Sequence, residues 1–408
     1  MEEEDQLKFG FDLLDPTKIV PEEYVPITWL GKFQLNRNPL DYFSETEQVM
    51  FQPGHVVRGI DFTDDPLLQG RLFSYLDTQL NRHNGPNFEQ LPINRPRIPF
   101  HNNNRDGAGQ MYIPLNKFPY TPNTKNAGAP YQATRTEGRG FFSAPRRHYS
   151  GSLVRDVSPT FDDHWSQPRL FFNSLVPQEK QFVLDAIRFE TSKVMSKVVR
   201  QNVVTQLNRI DNDLAKGVAR VIGIEEPEPD PTFYHDNTTV NMGTFGQPLS
   251  RVDGLKIGIL TTVNTPESIA LAAGDIKNAF MTQKVTTVVV AETMVDGVDQ
   301  TYSASDATNF DALIVADGAE PLFTLDSFVQ TTPAPYPAGR PLQILLDSFK
   351  FGHAVGSWGT GSGALKTASI APERTGVFVS PEASPEWTAS VLEGLRTLKF
   401  LDRFAVEI

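Results

Sequence analysis

The chain has 408 residues, room for two or three domains, and its 39% apolar and 21% charged content is ordinary for a soluble globular protein. Its 49 acidic against 37 basic residues leave a net charge of −12, which argues against a nucleic-acid partner because no basic surface offsets phosphate repulsion. The absence of cysteine excludes disulfides, thiolate metal sites and cysteine nucleophiles, and no apolar run reaches the length of a membrane span, so no membrane partner is expected.

Residues 1–38 open with Met1 and the acidic run Glu2 to Asp5, the opposite of a targeting leader. Short apolar segments follow, broken at Asp15-Pro16 and Val20-Pro21, and the pattern predicts a strand from Trp29 to Leu35 that ends at Asn36. Residues 39–165 are rich in Pro, Asn, Gly and Arg and show little periodicity outside one helix over 65–85. A loop region of that length is functional or disordered. Phe88, Phe100, Tyr112, Phe118, Tyr120, Phe141 and Phe142 recur through it and need burial, which favours an extended arm pinned to other surfaces.

Residues 166–224 read as a helical domain. One run, Gln178 to Glu190, carries Phe182, Ile187 and Phe189; a second, Val198 to Gly223, carries Val203, Leu207, Ile210, Leu214, Val218 and Val221 at helical spacing. Residues 225–252 read as an extended, solvated linker, with Glu226-Pro-Glu-Pro-Asp-Pro231 and a glycosylation triplet at Asn237 that carries little weight. Over 253–408 apolar runs alternate with helical segments. Lys256–Leu260, Thr286–Val290, Ala312–Ala316, Gln343–Asp347 and Ala354-Val355 are predicted strands, with helices over Pro266–Gln283 and Glu386–Phe400. That alternation predicts a parallel sheet wound on both faces.

The helix over Asp65–Gly85 has both ends marked. Asp65 suits the N-cap, Pro66 the first helical position, and Asn84-Gly85 a left-handed exit. Arg71, Tyr75, Thr78 and Arg82 share one stripe, while Leu72, Phe73, Leu76 and Leu80 are expected to pack away on the other side. A neighbouring cation favours the phenolate form of a tyrosine, and phenolate oxygen is a competent iron ligand. A second arginine on the stripe suits a carboxylate such as a haem propionate. The alternative is an amphipathic surface helix whose arginine and tyrosine face solvent.

The run Arg71-Leu-Phe-Ser-Tyr75-Leu-Asp-Thr-Gln-Leu-Asn-Arg82 resembles the proximal ligand signature of the haem catalases. Around it stand, in order, Asn36-Arg37-Asn38-Pro39, Tyr42 to Gln48, Phe51-Gln52-Pro53-Gly54-His55, Gly85-Pro86-Asn87-Phe88, Ile93-Asn94-Arg95-Pro96 and Arg105-Asp106-Gly107. The chain resembles the C-terminal portion of a large-subunit, fungal-type haem catalase without the N-terminal, distal-haem half. The implied fold class is α+β and multi-domain. It comprises the end of a catalase β-barrel (1–38), a wrapping arm with the proximal haem helix (39–165), a small helical domain (166–224), a linker and a flavodoxin-like α/β domain (253–408).

The resemblance implies that Tyr75 is the iron ligand and that Arg71 holds its oxygen as phenolate, adding electron density to the metal. Arg82 is then a propionate partner of haem, of type b or d. Gln79 and His55 lie near in pattern, and Gln52 stands where some relatives carry a histidine linked to the ligand tyrosine, so an unlinked Tyr75 is expected. The implied activity is disproportionation of hydrogen peroxide by a homotetramer. No catalytic residue is assigned, because none of the seven histidines lies in a stretch resembling the distal His motif and the distal Asn is likewise absent. The alternative is a non-catalytic structural or assembly module. The flavodoxin-like part is similar to the amidotransferase and DJ-1 superfamily, whose nucleophilic cysteine position aligns with Gly359, and is read as non-catalytic. The compartment stays open, with the true N-terminus expected to be missing.

Overall fold

The computed structural model describes residues 8–57, 59–97, 104–114, 120, 124, 150–152, 154, 156–329 and 333–407. Expectations on the acidic run Glu2 to Asp5 and on Phe100, His101, Phe118, Phe141, Phe142 and His148 lie outside these residues. Two compact units emerge, Met1–Gln167 and Pro168–Ile408.

In the first unit, α1 spans Pro66–His83, preceded by a single π turn, Phe43–Glu47, and followed by a 3-10 turn, Phe88–Gln90. The strand expected over Trp29–Leu35 does not form. The segment has no ladder partner among the described residues, and Trp29, Leu30, Phe33 and Leu35 are 88%, 97%, 84% and 92% exposed. Alternating apolar residues do not make a strand alone, because the stabilising unit is the hydrogen-bonded, packed pair. The arm's expected burial holds for Phe88, whereas Tyr112 and Tyr120 are exposed.

The second unit opens with α2 (Ser166–Ser174, beginning at the unit boundary), α3 (Pro177–Thr191), α4 (Lys197–Asn208) and α5 (Asn212–Ile222). The single run expected over Val198–Gly223 is two helices. The chain turns at Ile210, and the Asp211 carboxylate accepts from the Leu214 N–H at 3.0 Å, capping a new helix. Gly223 ends α5 in the left-handed conformation, as expected. Leu184, Val204, Leu214, Val218 and Ile222 build a separate core. The expected linker is tied down rather than solvated throughout. Glu228 and Pro227 carbonyls accept from Asn208 and Asn212, and buried Glu179 accepts from the Thr244 and Phe245 N–H groups at 2.7 and 3.1 Å.

Six strands follow: β1 (Lys256–Leu260), β2 (Thr286–Ala291), β3 (Gln300–Thr301), β4 (Ala312–Val315), β5 (Ala354–Trp358) and β6 (Val377–Ser380). They form one parallel sheet in the order β3-β2-β1-β4-β5-β6. Without the two-residue β3, the order is that of doubly wound, flavodoxin-like sheets. One face is covered by α6 (Pro266–Leu271), a π turn, α7 (Lys277–Met281) and, near the end of the chain, α10 (Pro385–Thr397). The other is covered by α8 (Arg340–Lys350) and α9 (Ser362–Thr367). Cover on both faces explains why β4 is buried at all four residues.

Gln343–Asp347, expected as a strand, lies inside α8. A short apolar run does not distinguish strand from helix by itself. Here Gly339 and Pro341 open a helix, and Leu342, Leu345 and Ser348 bury one of its faces.

Candidate functional site

The site is built on α1. The Asp65 carboxylate accepts from the N–H groups of Leu67 and Leu68 at 2.8 and 3.2 Å, Pro66 occupies the first turn, and Asn84 closes the helix in the left-handed region at φ 51°. Gly85 follows because a side chain there would meet the Ala108 carbonyl at 2.7 Å. The apolar residues do not bury as expected: Phe73 is 71% exposed, and Leu76 and Leu80 are also on the surface. The buried residue of the helix is Gln79.

Arg71 and Tyr75 are brought together. Arg71 Nη2 donates to the Tyr75 hydroxyl at 3.3 Å, and the guanidinium carbon is 5.0 Å from the ring centre. The Phe51 ring meets the Tyr75 ring edge-on, 5.9 Å between centres at 77°. Gln79 donates to the Phe51 carbonyl at 2.9 Å, and Gln52 donates to the Leu72 carbonyl at 3.5 Å. Arg82 instead donates to the Val49 and Glu47 carbonyls, tying the end of α1 to the strap after the π turn.

His55 pairs with Glu89 at 2.9 Å and thus serves the strap. Burial, with Arg82 beside it, holds His83 below the ordinary histidine range, and its Nε2 is buried without a partner. Asn94 fastens the strap to the segment after α1: it accepts from the Met50 N–H at 2.9 Å and donates to the Gln48 and Phe88 carbonyls. Asn87 donates to the carbonyls of Asn104, Gly107 and Ala108.

Sequence reasoning missed the roles of Phe51 and Gln79 as supports of Tyr75. For Gln79 the signal was present, since it lies one turn after Tyr75; for Phe51 there was none, because the contact crosses to another segment.

A porphyrin brings four nitrogen ligands of its own, so the protein has to offer one further donor, which an oxygen can supply. Tyr75 is half-buried and carries a charged hydrogen-bond donor on its hydroxyl, which fits that need.

In the second unit, Gly359 leaves β5 at φ 59°. A side chain there would meet Asp317 Oδ1 at 2.4 Å. The Asp317 carboxylate accepts from the Thr360 N–H and hydroxyl at 2.8 and 2.9 Å, and these bonds hold it below the usual carboxylate range. Asp317 thus occupies the space that a side chain at position 359 would need.

Residues 1–127 match the catalase family model, 158–222 the catalase-related immune-responsive model, and 253–405 that of the C-terminal domain found in long catalases. The chain is 63% identical over 414 residues to Catalase B of Aspergillus fumigatus, covering 100% of this chain and 57% of that protein. It is 51% identical over 407 residues to Catalase-3 of Neurospora crassa, covering 100% and 56%. It is 50% identical over 227 residues to Catalase-2 of Bacillus subtilis, covering 56% of this chain and 33% of that protein. The chain therefore spans little more than half the length of its fungal relatives. Three consecutive family models and whole-chain identity to fungal catalases agree that this chain belongs to the catalase family, among the long catalases.

Proposed function

We propose that this chain supplies the proximal half of a haem site in a catalase that disproportionates hydrogen peroxide to water and oxygen as a homotetramer. The observation that carries the reading is the Arg71–Tyr75 hydrogen bond on a helix capped at both ends. Tyr75 would hold the iron, and the haem would supply the redox chemistry of peroxide turnover. Arg71 would keep a positive charge and a donor on the ligand oxygen, and Arg82 would pair with a propionate on releasing the Val49 and Glu47 carbonyls it holds here. Phe51 shields one side of the ligand ring, and Gln79 fixes the strap that carries Phe51. Proton transfer to peroxide needs a group within hydrogen-bond reach on the opposite face, and we assign that step to a distal His and Asn outside these residues.

The test is the absorption spectrum of the purified chain on haem addition, with Tyr75→Phe alongside. A high-spin ferric tyrosinate spectrum in the parent and its loss in the variant are expected. Identical spectra in both would remove Tyr75 as the ligand.

A second reading, a structural or assembly module without turnover, is favoured by the Asp317 plug at Gly359 and by the engagement of His55 with Glu89. Oxygen evolution from peroxide by the haem-loaded chain at a catalase-like rate would rule it out.

A further inference from the structure

We propose that a cavity beside the open edge of β2 binds a small amphipathic monocarboxylate. The short β3 pairs with β2 only at Val290 and Ala291, so the first part of β2 has no strand on its outer side. The Thr286 N–H points inward to the Leu255 carbonyl. Strand alternation therefore turns the Thr287 main chain outward. Against this edge lies a cavity of about 520 Å³, within the ordinary range for small-molecule sites.

The lining divides into an apolar wall and a charged rim. Met281 and Val288 supply apolar surface. Lys277, Lys284 and Asp299 supply charge. Asp299 neutralises Lys277, with both carboxylate oxygens near the ammonium at 3.1 and 3.2 Å, and also accepts from the Val289 N–H at 2.9 Å. Lys284 is the cation left over. Its charge acts on Asp253, whose carboxylate is already held by Arg251 through two contacts of 2.6 Å. The net charge of the three rim groups is thus one positive, the complement of a single carboxylate.

Two further features mark the cavity. Lys284 sits at φ 58°, a left-handed conformation that lysine adopts at a cost, and is pinned there by bonds to the Met281 carbonyl and from the Gly254 N–H. Thr287, also in the lining, is 4% exposed, and its Oγ1 has no hydrogen-bond partner. A buried hydroxyl is usually satisfied. A carboxylate head at Lys284 and a hydrocarbon body along Met281 and Val288 match the spare charge and the apolar wall together.

The experiment is calorimetric titration of the full chain with octanoate, and with 1-octanol as the uncharged analogue. Variants are Lys284→Gln and, as a control, Lys366→Gln, which alters a separate cavity of about 550 Å³ between α9 and β6. Circular dichroism confirms that each variant is folded. Saturable octanoate binding is expected, weakened by about tenfold in Lys284→Gln and unchanged in Lys366→Gln. Binding of octanol as tight as octanoate, equal affinity in the parent and Lys284→Gln, loss of affinity in Lys366→Gln instead, or no saturable binding would each overturn the proposal.

Discussion

Arg71 stands one helical turn before Tyr75 and places Nη2 3.3 Å from its hydroxyl, so the candidate ligand takes a charged hydrogen bond from its own helix. A hydrogen bond with a charged partner contributes more than a neutral one. Arg71→Ala should therefore weaken haem uptake by about tenfold or more, reflecting about 1.5–3 kcal/mol for a bond of this type. Arg71→Lys should fall between, because lysine keeps the charge but lacks the fixed fork of donors. Absorbance titration with haem measures both, and equal affinity in all three proteins would show that Arg71 does not support the site.

Gln79 is the buried residue of α1, and its Nε2 holds the Phe51 carbonyl 2.9 Å away. Gln79→Leu removes that donor and leaves the carbonyl to find water. The expected cost is about 1–2 kcal/mol, local to the first unit. Hydrogen exchange should become faster over residues 49–54 and the facing turn of α1, while the β1–β6 sheet stays unchanged.

Gly359→Cys tests the plug in the second unit. A β-carbon at this position meets Asp317 Oδ1 at 2.4 Å, and the backbone is left-handed at φ 59°. The conformation alone costs a non-glycine residue about 1–2 kcal/mol, and the close approach adds to it. A lowered thermal midpoint is expected, without gain of thiol-dependent ester or amide hydrolysis. Gly359→Cys combined with Asp317→Ala should recover part of the lost stability.

His353 carries a pH dependence. Burial, with Lys399 and Arg403 nearby, pushes it from 6.5 down to about 4, and its Nδ1 has no hydrogen-bond partner. Between those values the unfolded chain binds the proton and the folded chain does not, so stability rises with pH through this window. Its contribution is full above pH 6.5 and is lost as pH falls to about 4, a change on the order of 3 kcal/mol. Denaturant unfolding of the second unit at pH 4.5 and 7 should show this slope, and His353→Leu should flatten it.

The sequence determined features whose cause lies within a few residues. The caps of α1 are local chemistry, so Asp65, Pro66 and Asn84 could be read in advance, and so could Gly223 at the end of α5. The Arg71–Tyr75 pair follows from helix spacing alone. Most sheet strands were legible too, since a strand buried on both faces is written as a continuous apolar run.

What only the tertiary structure decided depends on partners distant in sequence. Trp29–Leu35 has the alternation of a strand but no strand beside it among the described residues, and a ladder cannot close on one member. Gln343–Asp347 became helix because Leu342, Leu345 and Ser348 found one buried face. The support of Tyr75 by Phe51, the hold of Gln79 on that strap and the Asp317 plug at Gly359 each join segments more than twenty residues apart. Spacing fixes which side chains share a face of one element, and packing alone fixes what that face meets.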